Sequence, residues 1–113
     1  MKITENVQNN VSRIFLDGRF DANTCGEVEQ FIRKRIDDGM HYFVLDMENV
    51  SFIASAGLRV VLVIAKELRN TSRGDLCIAS PQPNVRKVFE ISGIDNVLQI
   101  HEDVERAAKG FLQ

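Results

Sequence analysis

A serine among small residues is the clearest site for chemistry in this chain. Ser55 follows an apolar run that ends at Ile53, and its neighbours Ala54, Ala56 and Gly57 are small. This pattern predicts a buried strand, a short loop and a serine at the start of a helix. A helix N-terminus carries unpaired backbone N–H groups and a partial positive charge, which suit a phosphate. The hydroxyl could therefore accept a phosphoryl group as a covalent ester. Its small neighbours leave it accessible to a protein partner.

Two other roles for Ser55 are compatible with the sequence. A serine before a helix is most often an N-cap. A catalytic nucleophile is the second, but the G-x-S-x-G pattern is absent, and His41 and His101 lack the carboxylate spacing of a triad. The phosphate-binding patterns G-x-x-x-x-G-K-[ST] and G-x-G-x-x-G are also absent. We therefore expect a non-enzymatic protein without a cofactor, which is the substrate of a kinase rather than a kinase.

Composition indicates one soluble globular domain over residues 1–113. The chain is 44% hydrophobic and 27% charged, and its net charge is −2. The sequence has no block of basic residues of the kind that predicts nucleic-acid binding. Its longest apolar run, Val60 to Ala65, is too short for a membrane span. Cys25 and Cys77 have no metal-ligand spacing and form no disulfide framework. A cytoplasmic location is expected, since cysteines stay reduced there.

Hydrophobic periodicity predicts an α/β fold, a mixed and mostly parallel sheet with an antiparallel N-terminal edge hairpin. Asn9 and Asn10 suit the hairpin turn, and Asp17-Gly18 is expected to end the second strand. The run over residues 60–65 is β-branched, but its continuation into good helix formers favours a helix. The predicted order is β-β-α-β-α-β-α-β-α, with strands over residues 2–7, 11–16, 42–47, 76–79 and 97–100 and helices over residues 25–38, 56–69, 80–92 and 104–111.

Several side chains have predicted local roles. Thr24 and Glu27 fit a capping box for the first helix, with Asp21 as an alternative cap one turn earlier. Asp46 is expected to close the central strand at its carboxyl end, beside Ser55, because open α/β sheets place their sites there. A carboxylate that organises a loop is the other interpretation of Asp46. Phe52, like the residue after it, is expected in the core.

Three stretches resemble the STAS-domain family of bacterial anti-sigma-factor antagonists. Residues 43–59 resemble the family signature, a strand ending in Asp-Leu, then Val-Ser-Phe-Ile/Met and x-Ser-Ser/Ala/Thr-Gly-Leu. Residues 17–24 resemble the stretch after the hairpin, and residues 79–94 resemble the helix that ends in Ser/Thr-Gly-Ile/Leu. The resemblance covers the chain in order and length. Many members have Asp immediately before the serine, where this chain has Ala54.

The resemblance implies regulation by partner switching. Ser55 matches the serine that a partner kinase phosphorylates with its own ATP and Mg²⁺, and Asp21 matches the face that meets that kinase. The unphosphorylated protein would bind an anti-sigma factor or a related serine kinase, and a serine phosphatase would restore it. A non-phosphorylated STAS subunit of a transport or lipid-trafficking complex and a small flavodoxin-like enzyme are the alternatives. The residues expected to bind the partner are Asp21, Asn23, Asp46, Ala54, Ser55, Ala56, Gly57 and Arg59.

Overall fold

The architecture is a five-stranded sheet with helices on both faces. The computed structural model describes residues 1–71 and 73–111. The sheet order is β1-β2-β3-β4-β5, with β1 antiparallel to β2 and the other neighbours parallel. The predicted fold class and order are therefore confirmed, with a 3-10 turn added at Ile94–Asn96. The elements are β1 (Lys2–Gln8), β2 (Val11–Phe20), α1 (Cys25–Asp37), β3 (Tyr42–Ile53), α2 (Ser55–Thr71), β4 (Asp75–Ala79), α3 (Pro83–Ser92), β5 (Ile100–His101) and α4 (Val104–Lys109).

The N-terminal hairpin forms as predicted, but its second strand is longer. Asn9 and Asn10 have φ angles of 54° and 64°, the positive values that a two-residue hairpin turn favours. The break predicted at Asp17-Gly18 is wrong, because β2 continues to Phe20. Its register against β3 shifts on both sides of this dipeptide. Gly18 adopts a φ of 129°, so the strand accommodates an irregularity where a break was expected.

The central strand β3 is also longer than predicted. It was expected to end at Met47 and runs to Ile53. Ala54 is the single residue between it and α2, so the predicted short loop before the serine is absent.

Side chains from the start of α3 bind the extended edge of β3. The pairing of β3 with β4 ends at Asp46, which leaves backbone carbonyls further along β3 without a strand partner. Gln82 Nε2 donates to the carbonyl of Glu48 at 2.8 Å, and Asn84 Nδ2 donates to the carbonyl of Ser51 at 2.9 Å. These side-chain amides satisfy groups that a neighbouring strand would otherwise bind.

The core is divided between the two faces of the sheet. One cluster joins the sheet to α1, α2 and α3, and includes Phe20, Phe43 and Phe89. A smaller cluster on the other face joins the sheet to α4 and includes Cys77. Burial, and secondarily the carboxylate of Asp75, raises the pKa of the Cys77 thiol to about 12. Cys77 therefore acts as a small buried hydrophobe, which its place within an apolar run of the sequence also predicts.

The C-terminal third differs from the prediction in its last strand and in its helix bounds. Helix α3 begins at Pro83 and not at residue 80, and α4 ends at Lys109 and not at residue 111. The last strand was expected over residues 97–100, but β5 consists of Ile100 and His101. The 3-10 turn before it buries Leu98 and leaves Val97 39% exposed. Gly93 closes α3 in the left-handed conformation, which is the role that a glycine after a helical pattern predicts. The sequence of residues 71–74 predicts a turn, and Ser72 within it lies outside the described residues. Among the residues that the structure describes, none of the helices has the length and apolarity that a membrane crossing requires.

Candidate functional site

The adjacent carboxyl ends of β2 and β3 position Ser55. Phe20 at the end of β2 pairs with Ile53 at the end of β3. The backbone N–H of Ala54 donates to the carbonyl of Phe20 at 3.0 Å, and the carbonyl of Ala54 accepts from the N–H of Gly57 at 3.0 Å. Ala54 therefore holds the N-cap position of α2, and Ser55 is the first residue of the helix. The alternative role of Ser55 as the N-cap is wrong.

A close backbone contact holds the start of α2 against β2. A Cβ atom on Gly57 would lie 2.8 Å from the carbonyl oxygen of Phe20 and 2.9 Å from its ring carbon Cδ1. Side chains do not tolerate such distances, so a residue with a Cβ would force the helix away from the strand. Gly57 is buried. It positions the helix start from beneath the surface, although the sequence analysis expected it to bind the partner.

The Ser55 hydroxyl is available for modification. Ser55 is exposed, and its neighbours Ala54 and Ala56 are half-buried. Within residues 1–71 and 73–111, no hydrogen bond engages the Ser55 hydroxyl. The group therefore has access to solvent and no local partner that would have to be displaced.

The loop after β2 lies beside Ser55. Asp21 and Ala54 each follow the last residue of a strand, and those two strands are paired. The carboxylate of Asp21 accepts a hydrogen bond from the N–H of Asn23 at 2.9 Å. This bond, with Arg19 contributing, holds the pKa of the Asp21 carboxyl below its ordinary value of 3.8, against an opposing effect of desolvation. The structure thus brings Asp21 and the exposed Asn23 to the corner that carries Ser55.

The capping box predicted for α1 does not form. Thr24 occupies the N-cap position but makes no side-chain capping bond. Its hydroxyl donates to the carbonyl of Arg19 at 2.6 Å and accepts from the N–H of Asp21 at 3.0 Å. Glu27 lies 3.8 Å from the amino group of Met1 instead of reaching back to the cap. The threonine therefore ties the end of β2 to the loop.

Arg19 and Phe52 form an exposed pair that sequence reasoning missed. The guanidinium carbon of Arg19 lies 4.3 Å from the centre of the Phe52 ring, and its Nε lies 3.4 Å from a carboxylate oxygen of Asp21. The prediction of Phe52 as a core residue is wrong, because the residue is 38% exposed while Ile53 is 3% exposed. Alternation along a strand could have revealed this, since a buried Ile53 directs its predecessor outward.

Asp46 lies elsewhere in the sheet. It is seven residues before the end of β3 and is 5% exposed. Its carboxylate accepts from the N–H of Glu48 at 2.8 Å. Burial, with the Glu48 carboxylate adding to it, raises the pKa of Asp46 despite that bond. The prediction that Asp46 closes the strand beside Ser55 is therefore wrong, because β3 continues past it. Its geometry is that of a carboxylate that organises local backbone.

Arg59 is the α2 residue expected at the site besides those of the first turn. It lies four residues after Ser55 on α2 and is exposed. Residues at this spacing face the same side of a helix. In the part of the chain that the structure describes, Arg59 makes no ion pair.

The fold and this site define a class of protein. A mostly parallel sheet with an antiparallel edge hairpin, and an open serine at the start of the helix after the central strand, agree with the STAS domain. The model of the STAS domain family matches residues 2–107. The chain therefore belongs to the STAS family, and the resemblance inferred from the sequence is confirmed.

Several relatives and solved structures that this chain resembles are anti-sigma factor antagonists by name. BtrV of Bordetella bronchiseptica, whose name assigns it to these antagonists, is 35% identical over 111 residues, or 98% of this chain and 95% of BtrV. The anti-sigma-B factor antagonist of Staphylococcus aureus is 25% identical over 105 residues, which cover 93% of this chain and 96% of that protein.

The anti-sigma factor antagonist SpoIIAA has been solved in two states that both match this fold. Its unphosphorylated form is 25% identical, with a TM-score of 0.81 over 97% of this chain and 96% of SpoIIAA. Its phosphorylated form, from Bacillus, is also 25% identical, with a TM-score of 0.74 over 97% of this chain and 99% of SpoIIAA.

Proposed function

We propose that this protein is an anti-sigma-factor antagonist that switches partners through phosphorylation of Ser55. One observation carries the proposal: the exposed Ser55 hydroxyl, at the corner between β2, β3 and α2, in a chain whose relatives are named as such antagonists. Unphosphorylated, the protein binds an anti-sigma factor that is also a serine kinase. Phosphorylation by that kinase ends the binding, and a serine phosphatase restores it. The names of the relatives favour this function over a role as a transporter subunit.

The surface around Ser55 suits a protein partner better than a nucleotide. The stacked Arg19 and Phe52 supply the exposed aromatic and arginine groups that often anchor interfaces. The hollow beside Arg59 encloses about 50 Å³, whereas small-molecule sites usually enclose roughly 300–1,000 Å³. ATP and Mg²⁺ therefore belong to the kinase. We call this region the Ser55 surface, and it consists of Arg19, Asp21, Asn23, Phe52, Ala54, Ser55, Ala56 and Arg59.

The phosphate acts on the interface and leaves the fold intact. It adds a charge of about −1.5 to −2, which the N-terminus of α2 tolerates. The similarity of this fold to both states of SpoIIAA supports the same expectation. A phosphate buried against a partner that offers no cation of its own costs several kcal/mol by order of magnitude. That cost corresponds to a loss of affinity of about 100-fold or more.

The remaining parts of the proposal follow from the kinase reaction. The protein supplies a hydroxyl and holds no cofactor, and it performs no catalysis of its own. The exchange takes place in the cytoplasm, where kinase, phosphatase and sigma factor meet, and it needs neither nucleic acid nor membrane. The unpaired cysteines in the described residues support a reducing compartment.

Phosphosite mapping tests the acceptor. The chain is used to capture its kinase from native cells, and the complex is incubated with ATP and Mg²⁺. We expect phosphate on Ser55 in the wild type and none in Ser55→Ala. Ser51→Ala is the matched control, because Ser51 is also exposed and lies four residues earlier, and it should be modified like the wild type. Phosphate on Ser51 with Ser55 unmodified would contradict the proposal.

Partner affinity tests the switch. Titration calorimetry with the captured kinase should show that Ser55→Ala binds like the unmodified wild type. The phosphorylated protein should bind about 100-fold more weakly or worse. Ser55→Asp should show part of this loss, because it carries one charge and lacks tetrahedral oxygens. Equal affinities of all four folded forms would place Ser55 outside the interface.

A further inference from the structure

Ser55 and Arg59 lie one turn apart on the exposed face of α2. Side chains four residues apart on a helix have Cβ atoms about 5–6 Å from each other, within reach of a guanidinium and a phosphate. We propose that Arg59 is the internal counter-ion of the phosphate on Ser55. The inference rests on the proposed phosphorylation of Ser55 and adds a second effect to it. Modification introduces an anion and also withdraws a cation from the Ser55 surface.

The other cation of this surface is already engaged. The Arg19 guanidinium stacks on the Phe52 ring at 4.3 Å and contacts the Asp21 carboxylate at 3.4 Å. Moving it to the phosphate would break both contacts. Arg59 has no ion pair to lose within the described residues, so its guanidinium is the group that a new anion can recruit.

An acidic group that lies beside this part of α2 is engaged as well. Glu29 of α1 lines the same hollow as Arg59. Its carboxylate, however, contacts Arg33 Nε at 3.0 Å, and Arg33 also binds Glu67 at 2.6 Å. Glu29 is thus occupied by Arg33 and does not compete with the phosphate for the Arg59 guanidinium. The planar guanidinium of Arg59 can donate two parallel N–H bonds to two phosphate oxygens, which a lysine ammonium cannot do.

The consequence concerns what the partner meets. In the unmodified protein, Arg59 is exposed and available to an acidic group of the kinase. In the phosphorylated protein, the guanidinium turns toward Ser55 and is no longer available. A partner that pairs with Arg59 therefore loses a favourable contact at the same moment as it meets the phosphate.

The titration of the phosphate tests this directly. Phosphoserine is placed at position 55 of the full chain by genetic code expansion, and its second pKa is followed by phosphorus NMR. A neighbouring cation favours the dianion, so this pKa should lie below the ordinary value of about 6. Arg59→Gln should raise it by roughly 0.3 units or more, and Arg59→Lys should raise it less.

Lys66→Gln is the matched control. It removes one positive charge from the same exposed face of α2, eleven residues after Ser55. That separation is about 16 Å along the axis, beyond the screening length of about 8 Å at physiological salt. The phosphate pKa should therefore stay at its wild-type value in Lys66→Gln.

Two results would overturn the inference. One is an equal phosphate pKa in Arg59→Gln and Lys66→Gln. The other is a rise in Arg19→Gln that Arg59→Gln does not show, which would assign the counter-ion to Arg19. Because the phosphate is installed without a kinase, the titration can be read even if no kinase modifies Ser55. Failure of the proposed function and failure of this inference are therefore separate outcomes.

Discussion

The first turns of α1 and α2 contain the same kinds of residue and use them in opposite ways. Each has a hydroxyl residue at its start, Thr24 at the N-cap of α1 and Ser55 as the first residue of α2. Each also has a glycine in its first turn, Gly26 or Gly57. In α1 the hydroxyl is bound to the backbone and the glycine has open space around it. In α2 the glycine is pressed against Phe20 and the hydroxyl is exposed. A backbone contact fixes α2, which leaves its hydroxyl for chemistry.

The largest expected effect separates the two glycines. Gly57→Ala should destabilise the protein by about 1–3 kcal/mol, because its Cβ meets the backbone and ring of Phe20. Gly26→Ala is the matched control. Its Cβ meets no atom within 4 Å, so better helix propensity should stabilise the protein by about 0.5–1 kcal/mol. Urea denaturation measures both, and equal effects of the two variants would remove the structural distinction between the helix starts.

The next effect separates the two hydroxyls. Thr24→Ala should cost about 1–2 kcal/mol, because the N–H of Asp21 and the carbonyl of Arg19 lose their partner. Ser55→Ala should change stability by about 0.5 kcal/mol or less, since it is exposed and alanine suits a helix. Thr24→Ser keeps the hydroxyl and should recover most of the loss in the same denaturation experiment. A cost for Ser55→Ala as large as that for Thr24→Ala would show that Ser55 is structural.

The parts of this comparison that sequence predicts are those set by local chemistry. Asn9-Asn10 suit positive φ angles, and Gly93 suits a helix end, wherever they occur. The helix over the β-branched run 60–65 was predicted from the helix formers that follow it. The place of Ser55 at a helix start was predicted from the apolar run that ends before it and the helical pattern that follows it.

The parts that sequence missed depend on distant partners. The strand β3 continues to Ile53 because β2 lies along one edge and the amides of Gln82 and Asn84 bind the other. No local pattern specifies those bonds. The same extension displaces Asp46 from the site and turns Phe52 outward. The Thr24 hydroxyl was assigned to a capping box because the sequence does not show that a carbonyl of β2 lies within its reach.

The smallest expected effect concerns the two aspartates once assigned to one site. Asp21, in the loop before α1, has a lowered pKa, so its charge stabilises the fold at neutral pH. That contribution is lost as the pH falls through the folded pKa. Asp46, within the strand before α2, has a raised pKa, so its charge disfavours the fold at neutral pH. Its penalty disappears as the pH falls through the folded pKa.

Asp21→Asn and Asp46→Asn should therefore show opposite pH slopes. From pH 6 to pH 3, a range set around the ordinary value of 3.8, the wild type should lose stability relative to Asp21→Asn. Over the same range it should gain stability relative to Asp46→Asn. The slope is the readout because a change in packing shifts a whole curve without tilting it. Asp95→Asn, at an exposed position of the 3-10 turn, corrects for the loss of one charge. A stability difference between wild type and variant that changes with pH in the same direction for both variants would contradict this. The buried strand and the exposed corner would then affect a carboxylate in the same way, and the distinction between Asp46 and Asp21 would be wrong.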